Sequence, residues 1–252
     1  MAWNKGTIIQ LATIDSTSRY LRDEACYLWS KRGNCDFVVV NAKHQTAGRG
    51  QRGNSWSSNA GENLLFSILV RPGETLAVAK QFNLSQAVAL SLSSAMQRYG
   101  IKAQLKWPND IYVGKRKLAG ILLELDYSGE FVEQAIIGIG INVNQEQFAT
   151  MERIPVSMKM LQGCDFILDE VLATTLNSFE HYYNELRSGN SEAIAAEYTK
   201  QLLGINELRT FIDKTGSFEA MIQGVESDGH LLLLHNDGST HRYAFKEVEM
   251  IL

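Results

Sequence analysis

The order of expected elements places this chain in the α/β or α+β class, closed by a small antiparallel β module. Three observations carry that assignment. Apolar runs without polar alternation, such as Phe37-Val38-Val39-Val40, read as strands buried on both faces. A segment with helical spacing (Leu76, Phe82, Leu84, Val88, Leu92, Met96) lies between such strands. From Gly204 the pattern changes to short β runs punctuated by Lys214-Thr215-Gly216, Asp228-Gly229 and Asp237-Gly238, and Asp-Gly between apolar runs is a strong hairpin signal.

Each element follows from its own residues. Thr7 to Thr13 reads as a short strand. Asp15-Ser16-Thr17-Ser18 sets small oxygen-bearing side chains ahead of an amphipathic stretch to about Ser30, a helix start. After Val40 comes a polar, glycine-rich segment, Ala42 to Gly61, with almost no aliphatic residue. Loops of that length in compact domains are usually functional or disordered. Asn63 to Val70 is strand-like, and Leu76 to Tyr99 is expected to be one helix stopped by Gly100. Three β segments follow: Gln104 to Trp107, Ile111 to Val113, and Leu118 to Tyr127, the last turning at Ser128-Gly129 into Phe131 to Asn144. Asp169 to Arg187 and Ser191 to Leu203 read as helices. The terminal β module is too short to fold comfortably alone and is expected to pack on the main domain.

Composition bounds the function. The chain has 252 residues, 45% of them hydrophobic and 21% charged, with a net charge of −4, which excludes a disordered chain and argues against a surface coated in basic residues for nucleic acid. Cys26, Cys35 and Cys164 form no CxxC pair, and an odd number suits a reducing compartment. No signal peptide is expected from the opening residues. The longest apolar run, Ala135 to Val143, is too short for a membrane span and is broken by Gly138 and Gly140. The expectation is a cytoplasmic globular protein. His44, His181, His230, His235 and His241 show no HExxH spacing, and neither GxxxxGK[ST] nor GxSxG occurs.

Four segments are candidates to carry chemistry. Lys43 to Trp56 has a charge of +3 from Lys43, Arg49 and Arg52 with no acid, within a net-acidic protein. Glycines there let backbone N–H groups approach an anion, arginines supply forked donors, and Trp56 offers a flat ring; a solvated mobile loop is the competing reading. Lys106-Trp107-Pro108-Asn109-Asp110 is a turn. Taken alone it reads first as a plain one, although Lys106 can neutralise a phosphoryl oxygen and Asn109 and Asp110 can hold a metal-bound water or a ribose. Lys115-Arg116-Lys117 reads as a solvated hairpin tip, yet Lys117 adjoins apolar Leu118-Ala119-Gly120-Ile121, and Gly120 within a strand suggests close approach by a ligand or backbone. Gly138-Ile139-Gly140-Ile141-Asn142-Val143-Asn144 lacks the third glycine of a dinucleotide fingerprint; its asparagines can reach a ligand or begin a turn.

Taken in order, these pieces resemble the biotin protein ligases. The matching residues are Asp15-Ser16-Thr17-Ser18, then Gln45-Thr46-Ala47-Gly48-Arg49-Gly50-Gln51-Arg52-Gly53 with Trp56, then Lys106 to Asp110, then Arg116 to Glu124, then Gly138 to Asn142. The resemblance spans roughly residues 8 to 190 and implies an α+β fold: a mixed β-sheet flanked by helices, of the class II aminoacyl-tRNA synthetase and biotin ligase kind, at 1–204. A small SH3-like β-barrel is expected at 205–252. It further implies ATP-dependent joining of biotin, through biotinyl-5′-AMP, to a lysine of a biotin carboxyl carrier protein of acetyl-CoA carboxylase or a related carboxylase, with Mg²⁺ as cofactor.

By position, the resemblance makes Ser16, Thr17, Ser18 and Gln45 the lining of the biotin pocket, continued by Arg49, Gly50 and Gln51. Lys117 is expected to contact biotin and the bridging phosphate, and Gly120 to admit the ureido ring system. Lys106, with Arg49 and Lys117, is the expected catalytic group. Arg49, Arg52, Lys106, Asn109, Asp110 and Asn142 are expected to serve the nucleotide, Trp56 to pack beside the adenine, and Asp110 to meet Mg²⁺. Gln51 stands where the family's glycine-arginine loop commonly has arginine. Arg49→Ala is therefore expected to lower biotinyl-AMP formation far more than Gln51→Ala, and equal pyrophosphate release by the two variants counts against the assignment. With 14 residues ahead of Asp15, no helix-turn-helix and no DNA partner are expected; monomer and homodimer both remain open. The alternatives are a lipoate or octanoate protein ligase, and a non-catalytic small-molecule or nucleic-acid binding module.

Overall fold

The computed structural model describes residues 7–32, 37–149 and 154–252, without the side chains of Lys31, Arg32 and Arg52. Cys35 lies outside the described residues.

A parallel crossover starts the fold. Strand β1 (Thr7–Ile14) leads through helix α1 (Thr17–Arg32) to β2 (Phe37–Gln45), and β1 and β2 pair in parallel. The rest of the main sheet is antiparallel: β3 (Leu64–Val70), β4 (Gly73–Ala77), then, after helix α2 (Phe82–Gln97), β5 (Gln104–Lys106), β6 (Asp110–Val113), β7 (Arg116–Ser128) and β8 (Phe131–Ile141). The strand order is β1-β2-β3-β8-β7-β6-β5, with β4 paired to β8. Helices α3 (Met158–Gln162), α4 (Leu168–Arg187) and α5 (Ser191–Lys200) follow.

Strand alternation gives the sheet two faces. One carries Val39, Phe66, Ile68, Ile121, Ile137 and Ile139 and packs in the main core with α2 and α4. The other carries Val38, Val40, Leu69 and Ile136, covered by Leu21, Ala25 and Leu28 of α1.

The second sheet consists of β9 (Leu208–Asp213), β10 (Gly216–Val225), β11 (Leu231–His235), β12 (Thr240–Tyr243) and β13 (Val248–Met250), antiparallel in the order β12-β11-β10-β9-β13. It has the small antiparallel form expected of an SH3-like module. It packs on the first sheet: the Trp107 indole N–H donates to the Gly229 carbonyl at 3.0 Å, and the Trp107 and Phe245 rings meet edge to face at 5.2 Å. Among the described residues no helix is long and apolar enough to cross a membrane.

Three elements differ from expectation. Strand β2 runs on to Gln45, because Ala42, His44 and Gln45 continue the ladder with Leu11, Thr13 and Ile14 at the sheet edge, where polar side chains are tolerated. The helix expected from Leu76 begins at Phe82; ahead of it β4 pairs with Val132 and Phe131, and Val78–Lys80 forms a 3-10 turn. Helix α3 has no counterpart among the expected elements, although Ser157 accepts a bond from the Met160 N–H at 3.2 Å and Gly163 closes the helix at φ 73°.

Candidate active site

Cross-strand register assembles the site. Lys106 pairs with Asp110, Asp110 with Gly120, Gly120 with Gly140, and Gly140 with Leu65. Partners opposite one another share a face, so one row carries a lysine, a carboxylate and two glycines. The next row is Leu122, Gly138, Ser67 and Val40. This is the face that α1 covers over Val40, Leu69 and Ile136; α1 begins at Thr17, and its Ser18 lies against Gly138.

The α1 N-terminus and its surroundings form a hydroxyl cluster. Ser16, Thr17 and Ser18 are all buried. The backbone N–H and Oγ1 of Thr17 donate to Gln45 Oε1 at 2.8 and 3.1 Å. Ser67 Oγ lies 2.7 Å from Thr17 Oγ1 and 3.0 Å from Ser18 Oγ. Asp15 accepts from the Ser16 N–H and from Arg19, at 2.6 and 2.7 Å, and these bonds hold its carboxyl below the usual range. Ser67 was not foreseen; the signal was a lone hydroxyl within the apolar run Leu64–Val70.

The glycines make room for specific atoms. A Cβ on Gly138 would stand 2.7 Å from Ser18 Oγ. One on Gly140 would stand 2.7 Å from Trp56 Cζ2 and 2.8 Å from its Nε1, and one on Gly120 3.0 Å from its Cζ3. Gly120, expected to admit the ureido ring system, admits the Trp56 indole in this structure.

Lys117 reaches the site through a bulge. The β6–β7 register shifts between Ile111 and Tyr112, so that Ala119 pairs with Ile111 and Lys117 with Tyr112, leaving Leu118 as the extra residue. Leu118 enters the core, and Lys117 is turned to the site face. Its Nζ lies 2.6 Å from Asp110 Oδ1, a carboxylate only 4% exposed, and 5.6 Å from the Trp56 ring. The Lys106 side chain is buried with its Nζ 5.7 Å from the Tyr112 ring.

The loop after β2 is a small hairpin on this face. Gly50 N donates to Asn54 O at 2.7 Å, Trp56 N to Gly48 O at 3.0 Å, and Arg49 bridges to Ser55. Arg49 and Glu124 form a two-pronged ion pair at 2.9 and 3.2 Å. Asn109 Nδ2 donates to the Ile121 carbonyl at 2.6 Å, tying the turn after Lys106 to β7.

These groups surround one cleft of about 950 Å³, within the range of small-molecule sites. Its walls include Ser16, Thr17, Ser18, Gln45 and Trp56 on one side. Arg49, Gly50 and Gln51 belong to the loop, and Lys106, Asn109, Asp110, Lys117 and Gly120 complete the lining. One predicted residue is not brought in. The Asn142 side chain donates to the carbonyls of Val156 and Lys117 at 3.2 and 3.4 Å, so it braces the chain at Lys117 and does not line the cleft. The Arg52 side chain lies outside the described residues. Among the described residues, the one trio of carboxylate and imidazole groups near enough to share a metal ion is Glu226, Asp228 and His230, in the second sheet. Arg242 already pairs with Glu226 and Asp228 there, at 2.5 and 2.9 Å.

The fold sets the class. It matches the biotin protein ligase from Aquifex aeolicus solved in complex with biotin and ATP, with a TM-score of 0.78 and 26% identity, covering 97% of this chain and 98% of that one. The description of the Biotin/lipoate A/B protein ligase family matches residues 11–142, and the chain belongs to that family. A biotin–[acetyl-CoA-carboxylase] ligase of Mycobacterium tuberculosis is 39% identical over 206 residues, covering 79% of this chain and 73% of its own length. The bifunctional ligase/repressor BirA of Bacillus subtilis is 32% identical over 210 residues, covering 82% of this chain. The chain spans 64% of that relative's length.

Proposed function

We propose that this protein activates biotin with ATP as biotinyl-5′-AMP and transfers it to a lysine of a biotin carboxyl carrier protein. The observation that carries this reading is the shared face of the sheet: Lys106 and Lys117 stand at one end of a glycine row, and the buried hydroxyls of Thr17, Ser18 and Ser67 at the other. The hydroxyls and Gln45 suit the polar head of a neutral fused ring. The two ammonium groups suit the other end, where a carboxylate must approach an α-phosphate. Two anions meet there only if cations screen them, and groups fixed in place stabilise the charge that develops in the transition state. The carboxylate oxygen forms a bond to the α-phosphorus while the bond to pyrophosphate breaks; the carrier lysine then attacks the acyl carbon and releases AMP. Trp56 and its hairpin shield the anhydride from water.

Mg²⁺ enters this reading through the nucleotide. Asp110 has its Oδ1 on Lys117, and among the described residues the one trio of ligating groups close enough to share an ion lies elsewhere, at Glu226, Asp228 and His230, so the cleft offers no three-ligand protein cage for Mg²⁺.

Two expected results test the reading. Biotin supports exchange of labelled pyrophosphate into ATP, and lipoate does not; exchange with lipoate alone assigns the chain to the lipoate branch, and none with either acid favours a binding module. Gly140→Ala pushes the indole off its floor and is expected to weaken biotin binding about tenfold, since overpacking of this kind costs roughly 1–3 kcal/mol. Titration calorimetry measures it, and unchanged affinity removes Trp56 from the site.

A further inference from the structure

We infer that Glu124 is a positioning residue, which sets the Trp56 hairpin on the sheet by holding Arg49. The inference rests on the biotin-activating reading and adds to it a residue outside the cleft wall. Glu124 lies on β7 at the same alternation as Gly120 and Leu122, four residues along from Gly120, so it belongs to the site face. Its side chain is 16% exposed and meets both Arg49 terminal nitrogens, at 2.9 and 3.2 Å. From α1, Arg22 approaches the same carboxylate at 3.7 Å and also pairs with Asp126 at 3.4 Å.

The geometry gives this pair a consequence beyond surface attraction. Arg49 and Ser55 bridge the two arms of the hairpin, and the next residue, Trp56, donates its N–H to Gly48. Fixing the Arg49 fork therefore fixes the arm that carries Trp56. One strand holds both points of attachment: Glu124 receives the arginine, and Gly120 receives the indole. A two-pronged arginine–carboxylate pair constrains orientation as well as distance, which a single lysine contact does not. Arg49 thus acts through Glu124, and the cationic work on the reacting phosphate falls to Lys106 and Lys117.

The test uses the full chain with Glu124→Gln, Arg49→Glu, and the charge-reversed double variant Arg49→Glu/Glu124→Arg, in which Arg22 keeps Asp126 as a partner. Glu124→Gln is expected to raise the KM for biotin about tenfold with kcat in pyrophosphate exchange held within about twofold, the pattern of lost binding order and not of lost chemistry. Without substrates, amides of residues 48–56 should exchange hydrogen faster in Glu124→Gln while those of α2 stay as in the parent. The double variant should recover loop protection and KM relative to Arg49→Glu. Parent-like KM and loop exchange in Glu124→Gln overturn the inference. So does a double variant as impaired as Arg49→Glu, which would place Arg49 on the reacting anion itself. Because loop exchange is read without substrates, it decides the role of Glu124 even if the parent protein activates no biotin.

Discussion

Lys106→Met is expected to lower biotin-dependent pyrophosphate exchange by about 10²–10³-fold, the scale seen when one preorganised group facing developing charge is removed. The loss should fall in kcat, because the ammonium group is needed most where the carboxylate and α-phosphate share negative charge. Methionine keeps most of the packed stem that lies buried over Tyr112, so the variant should still fold, and a melting curve reads the cost of losing the buried ammonium group. The assay is isotope exchange at saturating biotin and ATP, run beside a melting curve. Parent-like kcat in a folded Lys106→Met protein removes this lysine from the chemistry.

Lys117→Met is the second large effect, and it combines two losses. The first is stability. Asp110 is 4% exposed with Lys117 Nζ 2.6 Å from its Oδ1, and taking away one member of a buried pair removes a close cation from a desolvated carboxylate. A cost of about 2–4 kcal/mol is expected, the lower part of the usual range because the lysine side chain is itself 20% exposed. The second is activity, since the cation next to the Trp56 ring disappears. Adding Asp110→Asn separates the two: the double variant should regain most of the stability in a urea titration and almost none of the exchange activity. A double variant that recovers both shows that Lys117 only neutralises Asp110.

Much of the site was legible because its signals are local. The glycine-arginine loop, the Lys106 to Asp110 turn and the lysine before Leu118 each stand out through backbone freedom, rigidity or charge within a few residues. The Asp-Gly turns likewise located the second sheet. What the residues did not disclose is pairing between distant strands. Nothing near Gly120 says that Gly140 lies opposite it, and only that register explains why Trp56 can lie against the sheet. Lys117 faces the site because of a bulge, a one-residue irregularity that sequence alternation does not reveal. Asn142 is ambiguous for a related reason. An asparagine ending an apolar strand looks the same whether it meets a ligand or, as here, satisfies the carbonyls of Lys117 and Val156. Strand β4 was absorbed into the helix expected from Leu76 because one buried leucine fits either period.

Mass spectrometry of a carboxyl carrier domain incubated with this protein, biotin, ATP and Mg²⁺ tests the whole account most directly. The cleft predicts a gain of one biotinyl group on a single carrier lysine, dependent on ATP and lost with Lys106→Met. An unmodified carrier under conditions where the same domain is biotinylated by a known biotin protein ligase would contradict it.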